Sequence, residues 1–277
     1  MTIPPLRLLH CSDLHFGHPA VPEQYEAIEA LIQEQQDDVV AISGDLTQRG
    51  RAGEFQRARA FIRQAERVAR VLVIPGNHDV AWWHAPFGLG DDRKLLTKYR
   101  RYINEDIEPV IRVPGATLVG LNTSHGVIRE TMTWRLRDIS IIGYVREEQL
   151  ARATDAFRAS PEGDARIIVM HHNPVKGELS RRHGLRHTNR VLGAFAEMAV
   201  DLVLCGHDHQ EAVHYIEHTK KGTVISTAGT ISSRARGGRP SSVNLIRITP
   251  EDIDVHTLIW SSDERAFVAG PQQCFHR

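Results

Sequence analysis

The chain has 277 residues, and its 34 Lys and Arg side chains balance 34 Asp and Glu side chains, so the formal net charge is zero. Hydrophobic residues make up 41% of the chain and charged residues 25%, which is the composition of a globular protein and excludes a disordered one. A neutral chain has no overall basic field, which argues against nucleic acid as a partner. Its three cysteines (Cys11, Cys205 and Cys274) exclude a dense disulfide framework.

No segment has the pattern of a targeting or membrane-spanning element. The first ten residues, MTIPPLRLLH, contain two prolines and lack the apolar core of a secretory signal. No stretch approaches the ~20 consecutive apolar residues that a transmembrane helix needs. We therefore expect a cytoplasmic protein with no membrane partner.

Short apolar segments alternate with helical patterns along the first three quarters of the chain. Each apolar segment is hydrophobic on both faces, as buried strands are. The alternation predicts an α/β fold with a largely parallel sheet. The predicted strands are 6–11, 38–43, 70–75, 116–122, 165–170 and 201–205, and the predicted helices lie at 25–32, 55–68, 146–159 and 189–199.

The pattern changes after residue 211, where turns separate the apolar segments and no long helix lies between them. This predicts hairpins in a second, more antiparallel sheet. Residues 82–112 are expected to form a loop and helix insertion. Because neither a linker nor a repeat divides the chain, we expect a single domain over residues 1–277. The predicted late strands are 212–218, 222–229, 243–249 and 252–260.

Five of the predicted strands end in a cluster of Asp, Asn or His side chains. Ligands of open α/β sheets bind at the carboxyl ends of the strands, where these clusters converge. Carboxylate and imidazole groups without thiolates suit Zn, Fe or Mn, and the number of donor groups suits two ions better than one. The clusters are Ser12-Asp13-Leu14-His15, Gly44-Asp45, Gly76-Asn77-His78-Asp79, His171-His172-Asn173 and Gly206-His207-Asp208-His209.

The ordered motifs D-x-H, G-D, G-N-H-D, H and G-H-x-H over residues 13–209 resemble those of the calcineurin-like metallophosphoesterase superfamily. The resemblance implies a four-layer α/β/β/α sandwich of two mixed β-sheets flanked by helices. It also implies two divalent or trivalent transition-metal ions (Mn, Fe or Zn) at the strand ends. The implied ligands are Asp13, His15 and His209 for the first ion, Asn77, His171 and His207 for the second, and Asp45 as the bridge between them.

The resemblance implies further roles for the G-N-H-D motif. His78 would be the catalytic histidine that faces the phosphate without binding metal, and Asp79 would orient it. The family's fourth motif places its histidine directly at the strand end, as the first of an HH pair. His171 is therefore the expected ligand, and His172 is the alternative.

The chain is similar in length and motifs to bacterial cyclic-nucleotide and glycerophosphodiester phosphodiesterases. This implies hydrolysis of a small phosphodiester by in-line attack of a metal-bound hydroxide. A phosphomonoesterase is the second reading, followed by a DNA nuclease and a non-catalytic scaffold of the same fold. We expect specificity to lie in loops and in the segments 82–112 and 174–190, with His125 as a candidate substrate contact. Similar proteins include dimers, so the sequence leaves a homodimer open.

Overall fold

In a computed structural model, the described part of the chain has twelve strands, which form two sheets at its centre. The structure describes residues 4–81, 92–126, 128–131, 141–177, 184–218, 221–233 and 238–277. The strands are β1 (Leu6–Cys11), β2 (Val39–Ile42), β3 (Arg70–Val73), β4 (Val110–Val113), β5 (Ala116–Leu121), β6 (Ala165–His172), β7 (Leu202–Gly206), β8 (Ala212–Ile216), β9 (Thr223–Thr227), β10 (Ser242–Ile248), β11 (Asp252–Ser261) and β12 (Ala266–His276).

Both sheets have six strands and mix parallel with antiparallel pairs. The first sheet has the order β12-β11-β10-β1-β2-β3, with β1, β2 and β3 parallel and the other three antiparallel. The second sheet has the order β4-β5-β6-β7-β9-β8, with parallel pairing from β5 to β9 and an antiparallel strand at each edge. The parallel strands of each sheet therefore point their carboxyl ends toward one edge.

The described helices cover the outer faces of the two sheets. Apolar residues of α1 and α2 pack on the first sheet, those of α5 and α6 pack on the second, and a separate apolar cluster joins the inner faces. The structure thus confirms the four-layer α/β/β/α sandwich. All described helices are too short or too polar to cross a lipid bilayer. The helices are α1 (Pro22–Gln35), α2 (Ala52–Ala65), α3 (Asp92–Leu95), α4 (Thr97–Tyr102), α5 (Glu147–Arg158) and α6 (Thr188–Glu197).

The prediction that residues 212–260 form hairpins of one second sheet is wrong. Strands β8 and β9 extend the second sheet from β7, whereas β10, β11 and β12 extend the first sheet from β1. The physical reason is that β1 and β7 each present a row of backbone donors and acceptors that must be paired when buried. The chain after β7 fills both rows, one after the other.

Two strands were not predicted. Strand β4 is only four residues long, and β12 carries Gly270, Pro271 and two glutamines, which favour a loop. Antiparallel pairing with β11 nevertheless orders β12 from Ala266 to His276. Strand β4 begins within the expected insertion at 82–112. Residues 82–91 of that insertion fall outside the described part of the chain. The described remainder contains α3, α4 and the start of β4, and the single-domain assignment stays a prediction.

Arg277 joins the two sheets at the end opposite the polar clusters. Its Nε donates to the buried Asp201 carboxylate at 2.8 Å, just before β7, and its other guanidinium nitrogens donate to the carbonyls of Gly163 and Thr249. Thr249 lies in the turn between β10 and β11, in the other sheet. Lys221 forms a second ion pair with Asp201. One buried carboxylate thus collects cations from distant parts of the chain.

We expect Arg277→Ala to lower the free energy of unfolding by about 2 kcal/mol, because a buried carboxylate loses a charged hydrogen-bond donor. Urea denaturation measures this. The matched control is Arg247→Ala, since the Arg247–Asp254 pair is 3.6 Å apart and the Arg247 side chain is 56% exposed. The control is expected to change stability by less than about 0.5 kcal/mol. Equal losses in both variants would contradict the role given to Arg277.

Candidate metal centre

Two groups of buried polar side chains meet at the carboxyl ends of the parallel strands. The first group contains Asp13, His15, Asp45 and His209, and the second contains His171, His172 and His207. Within each group the donor atoms all lie within 4.8 Å of one another. Asn77 adjoins the second group. The structure therefore brings together all seven residues that the sequence predicts as ligands.

The donor atoms of the first group have the spacing of a coordination sphere. His209 Nε2 lies 3.1 Å from Asp13 Oδ1 and 3.1 Å from His15 Nε2. His15 Nε2 is in turn 3.6 Å from Asp13 Oδ1 and 3.7 Å from Asp45 Oδ2. Ligands ~2.1 Å from an ion stand about 3.0 Å apart in octahedral and about 3.4 Å apart in tetrahedral geometry. These residues fit a transition-metal ion.

The second group has the same spacing around Asn77. Asn77 Oδ1 lies 3.1 Å from His171 Nε2 and 3.0 Å from His207 Nδ1, and these two nitrogens are 3.3 Å apart. Asp45 Oδ1 completes the set at 3.5 Å from His171 Nε2. Three donor atoms thus lie within 3.3 Å of one another with a carboxylate oxygen next to them, and this set fits a second ion.

His172 has a different environment from His171. Its Nδ1 forms a 2.7 Å hydrogen bond with Thr123 Oγ1, and its Nε2 is buried without a hydrogen-bond partner in the described part of the chain. The His171 ring is held by a 2.8 Å hydrogen bond from Nδ1 to the Ser43 carbonyl, which turns Nε2 toward Asn77. The geometry therefore favours His171 over His172 as the ligand.

Asp45 lies between the two groups. Its Oδ2 faces His15 of the first group and its Oδ1 faces His171 of the second. The backbone N–H of His78 also donates to Oδ1 at 2.8 Å, which holds the carboxylate in this orientation. Each oxygen of one carboxylate thus faces a different donor set.

Five of the seven predicted ligands have a left-handed backbone, which is uncommon for residues other than glycine. Such a conformation costs on the order of 1 kcal/mol per residue and persists where the surroundings fix it. At Asp13, for example, the carbonyl accepts hydrogen bonds from Thr230 Oγ1 and from the backbone N–H of Ile231. The strain thus coincides with the donor groups. The five residues are Asp13, His15, Asp45, His207 and His209, with φ between 48° and 73°.

Two motif glycines allow the backbone to approach the carboxylates. A Cβ atom on Gly76 would lie 2.2 Å from Asp45 Oδ1, and one on Gly206 would lie 2.3 Å from Asp13 Oδ2. Any side chain at either position would displace a predicted ligand. The glycines before Asn77 and His207 therefore follow from packing at the centre.

The two buried carboxylates are charged. Burial alone raises the pKa of Asp13, but the facing imidazoles of His209 and His15 outweigh it and hold that pKa well below its ordinary value. Burial likewise raises the pKa of Asp45, but His171 and His78 lower it by more. The pKa of Asp45 therefore also lies well below its ordinary value. The centre therefore attracts positive charge.

The pKa values of two imidazoles in the second group are shifted in opposite directions. Burial lowers the pKa of His171, but the charge and hydrogen bonding of Asp45 raise it to about 9. For His207, burial and the neighbouring His171 lower the pKa to about 3. A proton and a metal ion would therefore compete for the same nitrogen of His171.

His78 lies against the first group without joining it. Its ring centroid is 4.8 Å from that of His15, and its Nδ1 is hydrogen bonded to the Gln48 carbonyl at 2.8 Å. The Asp79 carboxylate instead accepts hydrogen bonds from the backbone of Leu46, Thr47 and Gly76. Any orienting effect of Asp79 on the ring therefore passes through the backbone.

Sequence reasoning missed the groups that hold the rings of His171, His172 and His78. These are the hydroxyl of Thr123 and the carbonyls of Ser43 and Gln48. Backbone carbonyls carry no signal in the identity of their residue, and Thr123 follows a strand like many other threonines. Only the packed structure identifies them.

The sequence model of the family described as calcineurin-like phosphoesterase matches residues 6–211, which contain all the predicted ligands. No curated protein matches the chain.

Solved structures share the fold at low sequence identity. Purple acid phosphatase PPD1 of yellow lupin (Lupinus luteus) has a TM-score of 0.65 and 13% identity over 99% of this chain and 54% of that chain, so the present chain spans about half of the plant protein. PhoD has a TM-score of 0.63 and 11% identity over 100% of this chain and 69% of that chain. GAP50, the anchor in the inner membrane complex of Plasmodium, has a TM-score of 0.59 and 13% identity over 99% of this chain and 89% of that chain.

At these identities the structural likeness concerns the fold, and the sequence model carries the assignment. The chain belongs to the calcineurin-like phosphoesterase family.

Proposed function

We propose that the protein is a dinuclear-metal-dependent phosphodiesterase that hydrolyses small phosphodiesters. The observation that carries the proposal is the position of Asp45, whose Oδ1 and Oδ2 face the second and first donor groups. A carboxylate in this position is suited to bridge two ions at the short separation that an in-line displacement requires.

Ions held by these residues would supply positive charge to the phosphate and would lower the pKa of a water bound to them. Asp13 and Asp45 subtract two charges from the four of two divalent ions, which leaves about +2 at the centre. Asp45 keeps the two donor sets together, and Asn77 adds a neutral oxygen that leaves the charge unchanged. The remaining charge suits an anionic ester and the attacking group.

In this proposal His78 transfers a proton to the leaving alcohol. The Gln48 carbonyl accepts a hydrogen bond from Nδ1, so this nitrogen carries a proton and Nε2 is the exchanging atom. A protonated Nε2 donates to the leaving oxygen, a contribution of about 10²–10⁴-fold in rate. The ring lies against His15 and outside the two donor groups.

A diester carries one negative charge and two organic groups. The described residues line two depressions that include neighbours of the motifs in sequence, a cavity of about 430 Å³ bordered by Ser124 and His125 and a cleft of about 620 Å³ bordered by His18 and Arg51. This arrangement supports the diester as substrate. A phosphomonoester is the second candidate, which the fold likeness to a purple acid phosphatase favours.

We expect the protein to bind about two Mn²⁺ ions per chain. Asp45→Asn removes the charge that faces both donor groups and is expected to reduce the content to below one ion, whereas Asn77→Ala leaves about one. Metal analysis after dialysis measures the content. Asp155→Asn is the control, because its side chain is 75% exposed and lies on α5. Unchanged metal content in Asp45→Asn would refute the bridging role.

His171 and His172 are expected to differ in the same measurement. His171→Ala removes a donor atom that faces Asn77 and Asp45, so the second ion is lost. His172→Ala removes an imidazole bonded to Thr123, and both ions are retained. The opposite result would make His172 the ligand.

We expect the Mn²⁺-loaded protein to hydrolyse bis(p-nitrophenyl) phosphate faster than p-nitrophenyl phosphate. His78→Ala is expected to lower kcat by about 10²–10⁴-fold at unchanged metal content, and His207→Ala to abolish both activity and the second ion. Release of p-nitrophenolate measures the rates. If p-nitrophenyl phosphate is hydrolysed faster, the substrate class is a phosphomonoester and the proposed diester preference is wrong. If neither compound is hydrolysed with both ions bound, the proposed activity on small esters is refuted.

A further inference from the structure

The cavity bordered by Ser124 and His125 is connected to the second donor group through one residue, Thr123. Thr123 bonds to His172, whose ring centroid is 4.5 Å from that of His207. Asn122, Ser124 and His125 from the same segment border the cavity of about 430 Å³. The cavity thus lies at the carboxyl end of β5, and Thr123 links its wall to the second donor group through His172.

The cavity has an apolar side and a polar side. Leu95, Leu96 and Ile107, from the segment around α4, contribute the apolar surface, and Leu95 and Leu96 belong to the apolar cluster of the first sheet. Arg100 and Ser124 contribute polar groups. Its volume lies within the range of about 300–1,000 Å³ that is usual for sites of small organic ligands.

Several polar groups of the wall are engaged by their neighbours. Glu108 accepts hydrogen bonds from the Asn122 backbone and from Gln149, and it forms a 3.1 Å ion pair with Arg152. The side-chain oxygen of Asn122 accepts from the Ser124 backbone at 2.9 Å. The negative charge of Glu108 is therefore neutralised and offers little to a ligand.

Two hydrogen-bond donors of the wall differ, beside the carboxylate of Glu148, which also borders the cavity. The Ser124 hydroxyl is buried and has no hydrogen-bond partner within the described residues, which is costly for a buried hydroxyl. Arg100 donates to the Glu105 carbonyl and forms no ion pair with any side chain that the structure describes. A ligand with hydrogen-bond acceptors and an apolar face would engage both groups.

We propose that this cavity binds an organic group of the ester, of nucleoside size, with an apolar face and hydrogen-bond acceptors, and that Arg100 and Ser124 select for it. This inference rests on the proposed function, because the ester is what connects the cavity to the metal centre. A group as small as methyl or glycerol would leave the apolar side of the cavity unfilled.

Two diesters with the same leaving group test the proposal on the Mn²⁺-loaded protein: thymidine 5′-(p-nitrophenyl phosphate) and methyl p-nitrophenyl phosphate. We expect kcat/KM to favour the thymidine ester by about tenfold or more. Arg100→Ala and Ser124→Ala are expected to reduce that ratio about tenfold, mainly through KM, as expected for loss of a hydrogen bond to bound substrate. Arg101→Ala is the control, because its side chain lies over the Tyr102 ring and does not border the cavity. It should leave the ratio unchanged.

Turnover of both esters with equal kcat/KM, or an unchanged ratio in Arg100→Ala and Ser124→Ala, would overturn the inference and leave the proposed function intact. If neither ester is hydrolysed, the result would instead count against the proposed function. In that case a calorimetric titration of the metal-free protein with thymidine decides: weaker binding in both variants than in Arg101→Ala supports the cavity as the site, and equal or absent binding refutes it.

Discussion

Two carboxylates, Asp13 and Asp45, are buried and charged at the point where the parallel strands of both sheets end. A buried charge is tolerated only when compensating groups surround it. Here those groups are imidazoles, and they stand at distances suited to coordination of an ion. The donor atoms must face these carboxylates. This requirement accounts for the left-handed backbone of the donor residues, for Gly76 and Gly206 and for the hydrogen bonds that hold the rings. The requirement to compensate buried charge thus organises the whole edge.

The strand ends show how tightly this edge is packed. Gly76 and Gly206 have no space for a Cβ atom, because the Asp45 and Asp13 side chains occupy it. The donor residues themselves adopt backbone conformations that their side chains disfavour. Pairing within the two sheets supplies the free energy that holds them there. A centre of this kind therefore needs the entire sandwich and cannot be reproduced by a short loop.

Much of this arrangement could be predicted from the sequence, since apolar strands ending in Asp, Asn or His indicate both a sheet and its ligand edge. The ordered motifs identified the seven donor residues that the structure brings together. The partners of late strands such as β10 could not be predicted, because pairing depends on which buried edge is open. Nor could the contacts of Asp79 or the hydroxyl of Thr123, which follow from packing and leave no pattern in the chain.

Each donor group draws on both sheets. His209 follows β7 of the second sheet but stands with Asp13 and His15 of the first, and Asn77 follows β3 of the first but stands with His171 and His207 of the second. Ligands that bind only the folded state stabilise it by mass action. An ion bound by ligands from both sheets would stabilise the contact between the sheets. The folded chain would then be more stable where free metal is abundant than where it is scarce.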